Sequence, residues 1–242
     1  MSRQVELSKR MQAVADMVTV GNRVCDVGCD HGYVSIYLIQ AGISPRVLAM
    51  DVNKGPLKRA EEHVRQYEAE DYIELRLSDG LCSYRVGEAD TLLCAGMGGR
   101  LLMKILEREP AKTESFQELI LQPQSELKLF RSFLREKGYS ILSEDMILED
   151  GKFYPMMKVR PETKISGISK PDEDTEIKDL LGPCLLQNQN PVLLAYIRQE
   201  IQVKEGILEG LKKQEPKEKL LLRKQEIEKE LVLLNDAVQK WY

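Results

Sequence analysis

One rhythm limits this chain more than any other feature. Between Arg23 and Leu121 five short apolar runs recur, at Arg23–Val27, Val47–Met50, Ile73–Leu77, Thr91–Ala95 and Leu119–Leu121. Each is too short for a helix and reads as a buried strand. Stretches with helical periodicity stand between most of them, at Tyr33–Ala41, Leu57–Tyr67 and Arg100–Glu107, and Glu126–Lys137 follows the fifth. Strands that alternate with helices form a parallel sheet covered on both faces, an α/β doubly wound domain. The rhythm then breaks. Tyr139–Leu148 and Phe153–Arg160 are strand-like and joined by Glu149-Asp-Gly-Lys152. Asp-Gly between such runs is a strong hairpin signal, so the parallel sheet is expected to end in an antiparallel hairpin.

The ends of the chain read differently. Residues 5–19 carry Leu7, Met11, Val14, Ala15 and Val18 at helical spacing. Residues 161–175 are polar, hold two prolines and read as a linker. Beyond them Leu194, Ile197, Ile201, Leu208 and Leu211 follow 3–4 spacing, interrupted by Lys204. After Pro216 a second set follows, Leu220, Ile227, Leu231, Leu234 and Val238. Two antiparallel helices zipped along an a/d seam, a short coiled coil, fit this pattern. Each, at roughly 22 residues and 1.5 Å per residue, would span about 33 Å. The expected division is a Rossmann-like domain with its N-terminal helix over residues 1–162, then a linker and helical hairpin over 163–242.

Composition narrows the function classes. A chain of 242 residues with 43% hydrophobic content can bury one substantial core and a smaller unit. It has no apolar run of about 18 residues, which argues against a membrane-spanning helix. Its first residues lack a secretory apolar stretch, so a cytoplasmic protein is expected. Five cysteines, an odd number at low density, fit a reducing compartment. Cys25, Cys29 and His31 lie close together, but the spacing is not that of a zinc ribbon and no second pair follows; no metal is expected. A net charge of −4 and a pI near 5.5 argue mildly against nucleic acid and leave room for a local basic patch.

The most informative loop is Val24-Cys-Asp-Val-Gly-Cys-Asp-His-Gly-Tyr33, which follows a strand and opens a helix. The dinucleotide fingerprint G-x-G-x-x-G fails here, because Asp30 and Tyr33 stand where its second and third glycines would fall. The methyltransferase pattern, acidic-x-G-x-G-x-G, is met at Asp26, Gly28 and Gly32, with Asp30 in the middle glycine's place. The substitution carries chemical meaning. A carboxylate at a helix N-terminus repels a pyrophosphate but suits the α-ammonium and sulfonium of S-adenosylmethionine. Asp51 ends the second strand, where an acidic residue accepts hydrogen bonds from ribose hydroxyls. Ser78-Asp79-Gly80 ends the third, where an aspartate can meet the adenine amino group. Taken singly, such aspartates are more often caps or turn formers; in register at three successive strand ends they form a constellation. Five parallel strands followed by a hairpin is likewise the order of class I methyltransferases. The fourth strand ends in Leu93-Cys-Ala-Gly-Met-Gly-Gly99 and lacks the Asn/Asp-Pro-Pro-aromatic segment of many amino-group methyltransferases. Its glycines serve either a tight turn or a close approach of donor methyl and base.

Several longer segments carry a specific resemblance: Leu7-Ser-Lys-Arg10, Asp30-His-Gly-Tyr33, Asp79-Gly80, Gly87-Glu-Ala-Asp90, Ala95-Gly-Met-Gly-Gly99 and Leu119-Ile-Leu-Gln-Pro123. Through them, and over essentially its whole length, the chain resembles the bacterial tRNA (adenine(22)-N1)-methyltransferases. The resemblance implies a Rossmann-like catalytic domain, S-adenosyl-L-methionine as donor and N1 of a tRNA adenine as acceptor. Two departures stand out: Gln124 where Asn is expected after Gln-Pro, and Ser35 where Pro is expected after the Tyr33 loop. The expected cofactor contacts are Asp26, Gly28, Asp30, His31, Gly32, Asp51, Val52, Asp79, Gly80, Gly96 and Met97. Lys9, Arg10, Gly98, Gln122 and Gln124 are the expected substrate contacts, Lys9 and Arg10 through phosphate.

N1 of adenine attacks through an in-plane lone pair, so alignment does most of the work. Asp30 is the candidate to favour the cationic product or to hold the cofactor ammonium. His31 is either a proton acceptor, a stacking partner or a structural group. Tyr33 either stacks on adenine or packs on its helix; His63, in a charged helix, reads as surface. Lys212, Lys213, Lys217, Lys219, Arg223 and Lys224 gather at the expected hairpin tip, diluted by Glu215 and Glu218. They suggest either a clamp on tRNA or a dimer surface, the protein being a monomer or a weak homodimer. Two competing readings stay open, a methyltransferase of a small molecule or protein and a non-catalytic nucleotide-binding interaction protein.

Overall fold

The computed structural model describes residues 4–161, 172–212 and 218–242. The chain divides into two compact units, Met1–Ser169 and Lys170–Tyr242. Helix α1 (Lys9–Asp16) opens the first unit, with the Ser8 hydroxyl accepting from the Met11 N–H. There follow β1 (Val24–Val27), α2 (Tyr33–Gln40), β2 (Val47–Asp51), α3 (Lys54–Gln66), β3 (Ile73–Leu77) and β4 (Thr91–Met97). Then come α4 (Gly99–Arg108), the single turn α5 (Pro110–Thr113), β5 (Glu118–Pro123), α6 (Leu127–Glu136), β6 (Tyr139–Glu149) and β7 (Lys152–Pro161). All five expected strands and the hairpin are present, their ends shifted by two residues at most.

The seven strands form one sheet in the order β3-β2-β1-β4-β5-β7-β6. The first five run parallel, and β7 lies antiparallel between β5 and β6. The order reverses between β1 and β4, so the strand tips there border a crevice, where doubly wound sheets bind ligands. Asp150 and Gly151 both have positive φ, 49° and 73°, as a two-residue hairpin turn of type I′ requires.

Side chains of the central strands alternate between two cores, as a pleated sheet covered on both faces demands. Cys25, Leu48, Met50, Leu92, Cys94, Leu119 and Leu121 pack against Leu102, Leu106, Phe130 and Leu134 of α4 and α6. Val24, Val47, Ala49, Leu93 and Ile120 pack with Val14, Ala15, Ile36, Leu38 and Val64 of α1, α2 and α3.

The second unit holds α7 (Thr175–Leu181), α8 (Pro183–Gln187), α9 (Pro191–Lys212) and α10 (Glu218–Trp241). The Asn190 side chain caps α9 by accepting from the Val192 and Leu193 N–H groups. The helices α9 and α10 run antiparallel: the Tyr242 hydroxyl donates to the Asn190 carbonyl, and Lys204 pairs with Glu230 at 2.7 Å. Lys204 is thus a bridge, reaching Glu200 on its own helix as well. Along the seam Leu193, Ile197, Ile227, Leu234 and Ala237 are buried, as are Leu181, Leu185 and Leu186 of α7 and α8. The short helices α7 and α8 were not expected. Most of the linker expected over 161–175, and Lys213, Glu215, Pro216 and Lys217, lie outside the described residues. Among the described basic residues, Arg223 and Lys224 pair with Glu226 and Glu228. No described helix is long and apolar enough to cross a membrane.

Candidate active site

The site is built at the carboxyl ends of β1, β2, β3, β4 and β5. After β1 the chain turns sharply, with positive φ at Gly28 (77°), Asp30 (49°) and Gly32 (75°). The Gly28 and Cys29 N–H groups both donate to the Met50 carbonyl, which draws the loop toward β2. A Cβ on Gly28 would lie 2.2 Å from the Met97 methyl carbon, so bare backbone is what lets Met97 cross this loop. One on Gly32 would press on Ala60 of α3 at 3.2 Å.

Asp51 binds the loop from the next strand tip. Its carboxylate accepts from the Asp30 N–H at 3.2 Å and from the Asn53 N–H at 2.7 Å, and a carboxylate has lone pairs left for further donors. Asp26 lies buried below it and accepts from the Ser35 hydroxyl at 2.7 Å. Burial pushes the Asp26 carboxyl up to about 6; the Ser35 hydrogen bond opposes this, and the charge of Asp51 adds to it. Ser35, one of the two departures from the family pattern, therefore puts a hydroxyl against the motif carboxylate. Val52 is exposed beside Asp51. Asp79, past the end of β3, is exposed and ion-paired with Arg108, and Gly80 follows with φ 58° against Ile105.

The hydrogen bonds around His31 and His63 decide their tautomers. A guanidinium can only donate, so the Arg59 Nε, at 3.1 Å from His31 Nδ1, finds a lone pair there. The His31 proton then sits on Nε2, 3.5 Å from the Asp30 carboxylate. His31 is thus engaged on both ring nitrogens, by Arg59 on one side and Asp30 on the other. His63 Nδ1 faces the His31 carbonyl at 2.9 Å and must donate to it. The neutral ring then accepts at Nε2 from the Tyr33 hydroxyl, 3.1 Å away. The Tyr33 and His63 rings also stack, their centroids 4.5 Å apart. His63, expected at the surface, is half-buried: it joins α3 to the loop and covers one face of Tyr33. The signal for it was its place three residues after Ala60, on the one face of α3 that meets Gly32.

On the other side of the crevice β4 carries an irregularity between Ala95 and Met97, where Gly96 takes φ 77°. The Gly96 N–H donates to the Gln122 Oε1 at 3.1 Å. Gln122 is fully buried and its amide Nε2 donates to the Pro123 carbonyl. Expected as a substrate contact, Gln122 is thus held beneath the tip of β4, which it shapes from below. Gln124 is exposed, its Nε2 3.6 Å from where a Gly96 Cβ would stand. Gly98 and Gly99 lead into α4; a Cβ on Gly99 would lie 2.6 Å from the Ser125 carbonyl oxygen, so only glycine fits. Arg10 and Lys9 part company. The Arg10 guanidinium donates to Gln122 at 3.1 Å and lies 4.8 Å from the Tyr154 ring centroid. Lys9 is exposed, and its backbone N–H donates to Glu149. Among the described residues no group of three or more His, Cys, Asp or Glu could hold a metal ion, and burial raises the Cys25, Cys29 and Cys94 thiols.

Comparison with known proteins agrees with this architecture. Residues 7–157 match the model of a methyltransferase domain family. The chain is 30% identical to the tRNA (adenine(22)-N(1))-methyltransferase of Bacillus subtilis, over 97% of this chain and 98% of that one. The crystal structure of the B. subtilis m1A22 tRNA methyltransferase superposes with a TM-score of 0.83 at 29% identity, covering 97% of this chain and 99% of that one. A Streptococcus pneumoniae protein solved in complex with S-adenosyl-L-methionine superposes with a TM-score of 0.82 at 28% identity, over 96% and 99% of the two chains. The chain belongs to the tRNA (adenine(22)-N(1))-methyltransferase family, and its first unit carries that family's Rossmann-like methyltransferase fold.

Proposed function

We propose that this chain transfers a methyl group from S-adenosyl-L-methionine to N1 of an adenine in tRNA, the one at position 22. The observation that carries the reading is the set of carboxylates and bare backbone at adjoining strand tips. Asp26, Asp30 and Asp51 surround a loop whose Gly28 and Gly32 both need positive φ. This lining suits a ligand with a cationic sulfur and ammonium, and would repel a pyrophosphate. When bound, S-adenosylmethionine supplies an electrophilic methyl group on a positively charged sulfur.

Asp51, Val52, Asp79 and Gly80 hold the adenosine half of the cofactor, Asp51 through the lone pairs its backbone donors leave over. Asp26, Gly28, Asp30, His31 and Gly32 hold the cationic half. Gly96, Met97 and Gly98 give the target base an approach without side-chain obstruction, and Gln124 offers it an amide. Adenine N1 is unprotonated at neutral pH, so no base has to act before transfer. The protein's work is alignment at near-attack distance. The methylated base is cationic, and the exposed carboxylate of Asp30 favours that charge. Tyr33, its hydroxyl committed to His63, contributes its open ring face. A tRNA substrate places the enzyme in the cytoplasm.

The test is tritium transfer from labelled S-adenosylmethionine to unmodified tRNA. Label in tRNA, and none in protein or free nucleosides, is the expected result. Label that appears only in protein or a small molecule overturns the reading.

A further inference from the structure

We propose that Arg10 grips a backbone phosphate flanking the target adenosine and thereby sets the base at the tip of β4; this rests on the methyltransferase reading above. Arg10 is half-buried on α1, and its charge has no carboxylate partner among the described residues. Arg23, Arg76, Arg100, Arg108 and Arg131 each have one. What holds Arg10 is neutral: the Gln122 amide oxygen at 3.1 Å on Nη1, and the Tyr154 ring at 4.8 Å. The Gln122 oxygen is itself fixed, because it also accepts from the Gly96 N–H. The guanidinium is thus aimed by a buried amide and an aromatic face, beside the bare backbone of Gly96. A Cβ added to that glycine would lie 3.8 Å from Nη1.

Such an arrangement leaves a full positive charge partly out of water, which costs free energy until an anion meets it. Among the described residues only one of the five N–H donors of Arg10 is engaged. The free fork matches a phosphate bidentately. The methylated base is cationic and would be repelled, so the partner is an anion linked to the base. Lys9 differs: it is exposed, with no buried amide or ring among the described residues to aim it. Gln122 and Tyr154 are positioning residues for Arg10.

The test is a cycle between a protein change and a phosphate change. Wild type and Arg10→Met, which keeps an apolar stem on Tyr154, are assayed on full-length tRNA. The tRNA is either natural or carries one neutral methylphosphonate, placed in turn at the two phosphates flanking the target adenosine. One of the two methylphosphonates is expected to lower wild-type kcat/KM by about 10–100-fold. Arg10→Met should lose a similar factor on natural tRNA and nothing further on that methylphosphonate tRNA. Its affinity for S-adenosylmethionine should stay within about twofold by calorimetry. Should Arg10→Met melt below the assay temperature, Arg10→Gln repeats the cycle. The proposal is overturned if the two penalties multiply, or if neither methylphosphonate slows the wild type. A matching loss of cofactor affinity also overturns it, since the anion is then the cofactor's own carboxylate. A wild type that leaves natural tRNA unlabelled refutes the methyltransferase reading instead.

Discussion

Asp26 is where charge and burial conflict most sharply. Its carboxyl is pushed up to about 6 by burial, against the Ser35 hydrogen bond. Because the folded value lies above the unfolded one, this group favours the fold at low pH. That contribution is lost as pH rises through about 6. Cofactor binding has the opposite sign, since a cationic ligand prefers the ionised carboxylate. Calorimetry should therefore show affinity for S-adenosylmethionine falling as pH drops below about 6, by up to tenfold per unit. Asp26→Asn should flatten that dependence, and Ser35→Ala should move its midpoint upward. Affinity independent of pH between 5 and 7 would show that Asp26 does not feel the ligand. Asp51→Ala should weaken the cofactor by roughly 10–100-fold, since it removes an acceptor and unties the Asp30 and Asn53 N–H groups; an unchanged titration would remove Asp51 from the site. At this scale the motif residues were legible because strand tips recur in register. The roles of His31 and His63 were not, because a tautomer depends on partners brought from another helix. Nor was the burial of Gln122, whose polar side chain in a strand looks the same whether it faces a ligand or a neighbouring backbone.

Among the elements, the hairpin and α6 carry a second constraint. Arg131 of α6 and Glu144 of β6 form an ion pair at 2.8 Å that is almost wholly buried. Breaking such a pair by removing one partner costs about 3–5 kcal/mol, because the other charge is left behind. Arg131→Met should lower the urea midpoint accordingly, with Glu144→Gln in the same background recovering much of the loss. A single Arg131→Met variant as stable as wild type would mean the pair contributes nothing net. Strand and helix order could be read from period alone, and Asp150-Gly151 announced its turn. The short α7 and α8 could not, since helices of seven and five residues owe their stability to packing and not to periodicity. The glycines after β4 were legible as a turn. That Gly99 in particular meets the Ser125 carbonyl was not, because this is a contact with the segment after β5.

For the molecule as a whole, an acidic chain has to bind a polyanion. The net charge is −4, and most of the described arginines are neutralised by carboxylates. This acidic balance opposes a broad electrostatic contact, so tRNA affinity should fall gently with salt. A log–log slope of about 3 or less in magnitude is expected by filter binding, where ten phosphate contacts would give about 7 or more. A slope of that larger size would mean that a local basic patch outweighs the acidic balance. Recognition must then rest on shape and on the pocket, which makes the chemistry at the base the decisive point. The most direct measurement is primer extension on tRNA methylated by the purified protein, with nucleoside analysis of the product. Methylation at N1 blocks pairing, so a single stop opposite adenosine 22 and recovery of 1-methyladenosine are predicted. Read-through at every adenosine, or label recovered at N6, would contradict the account.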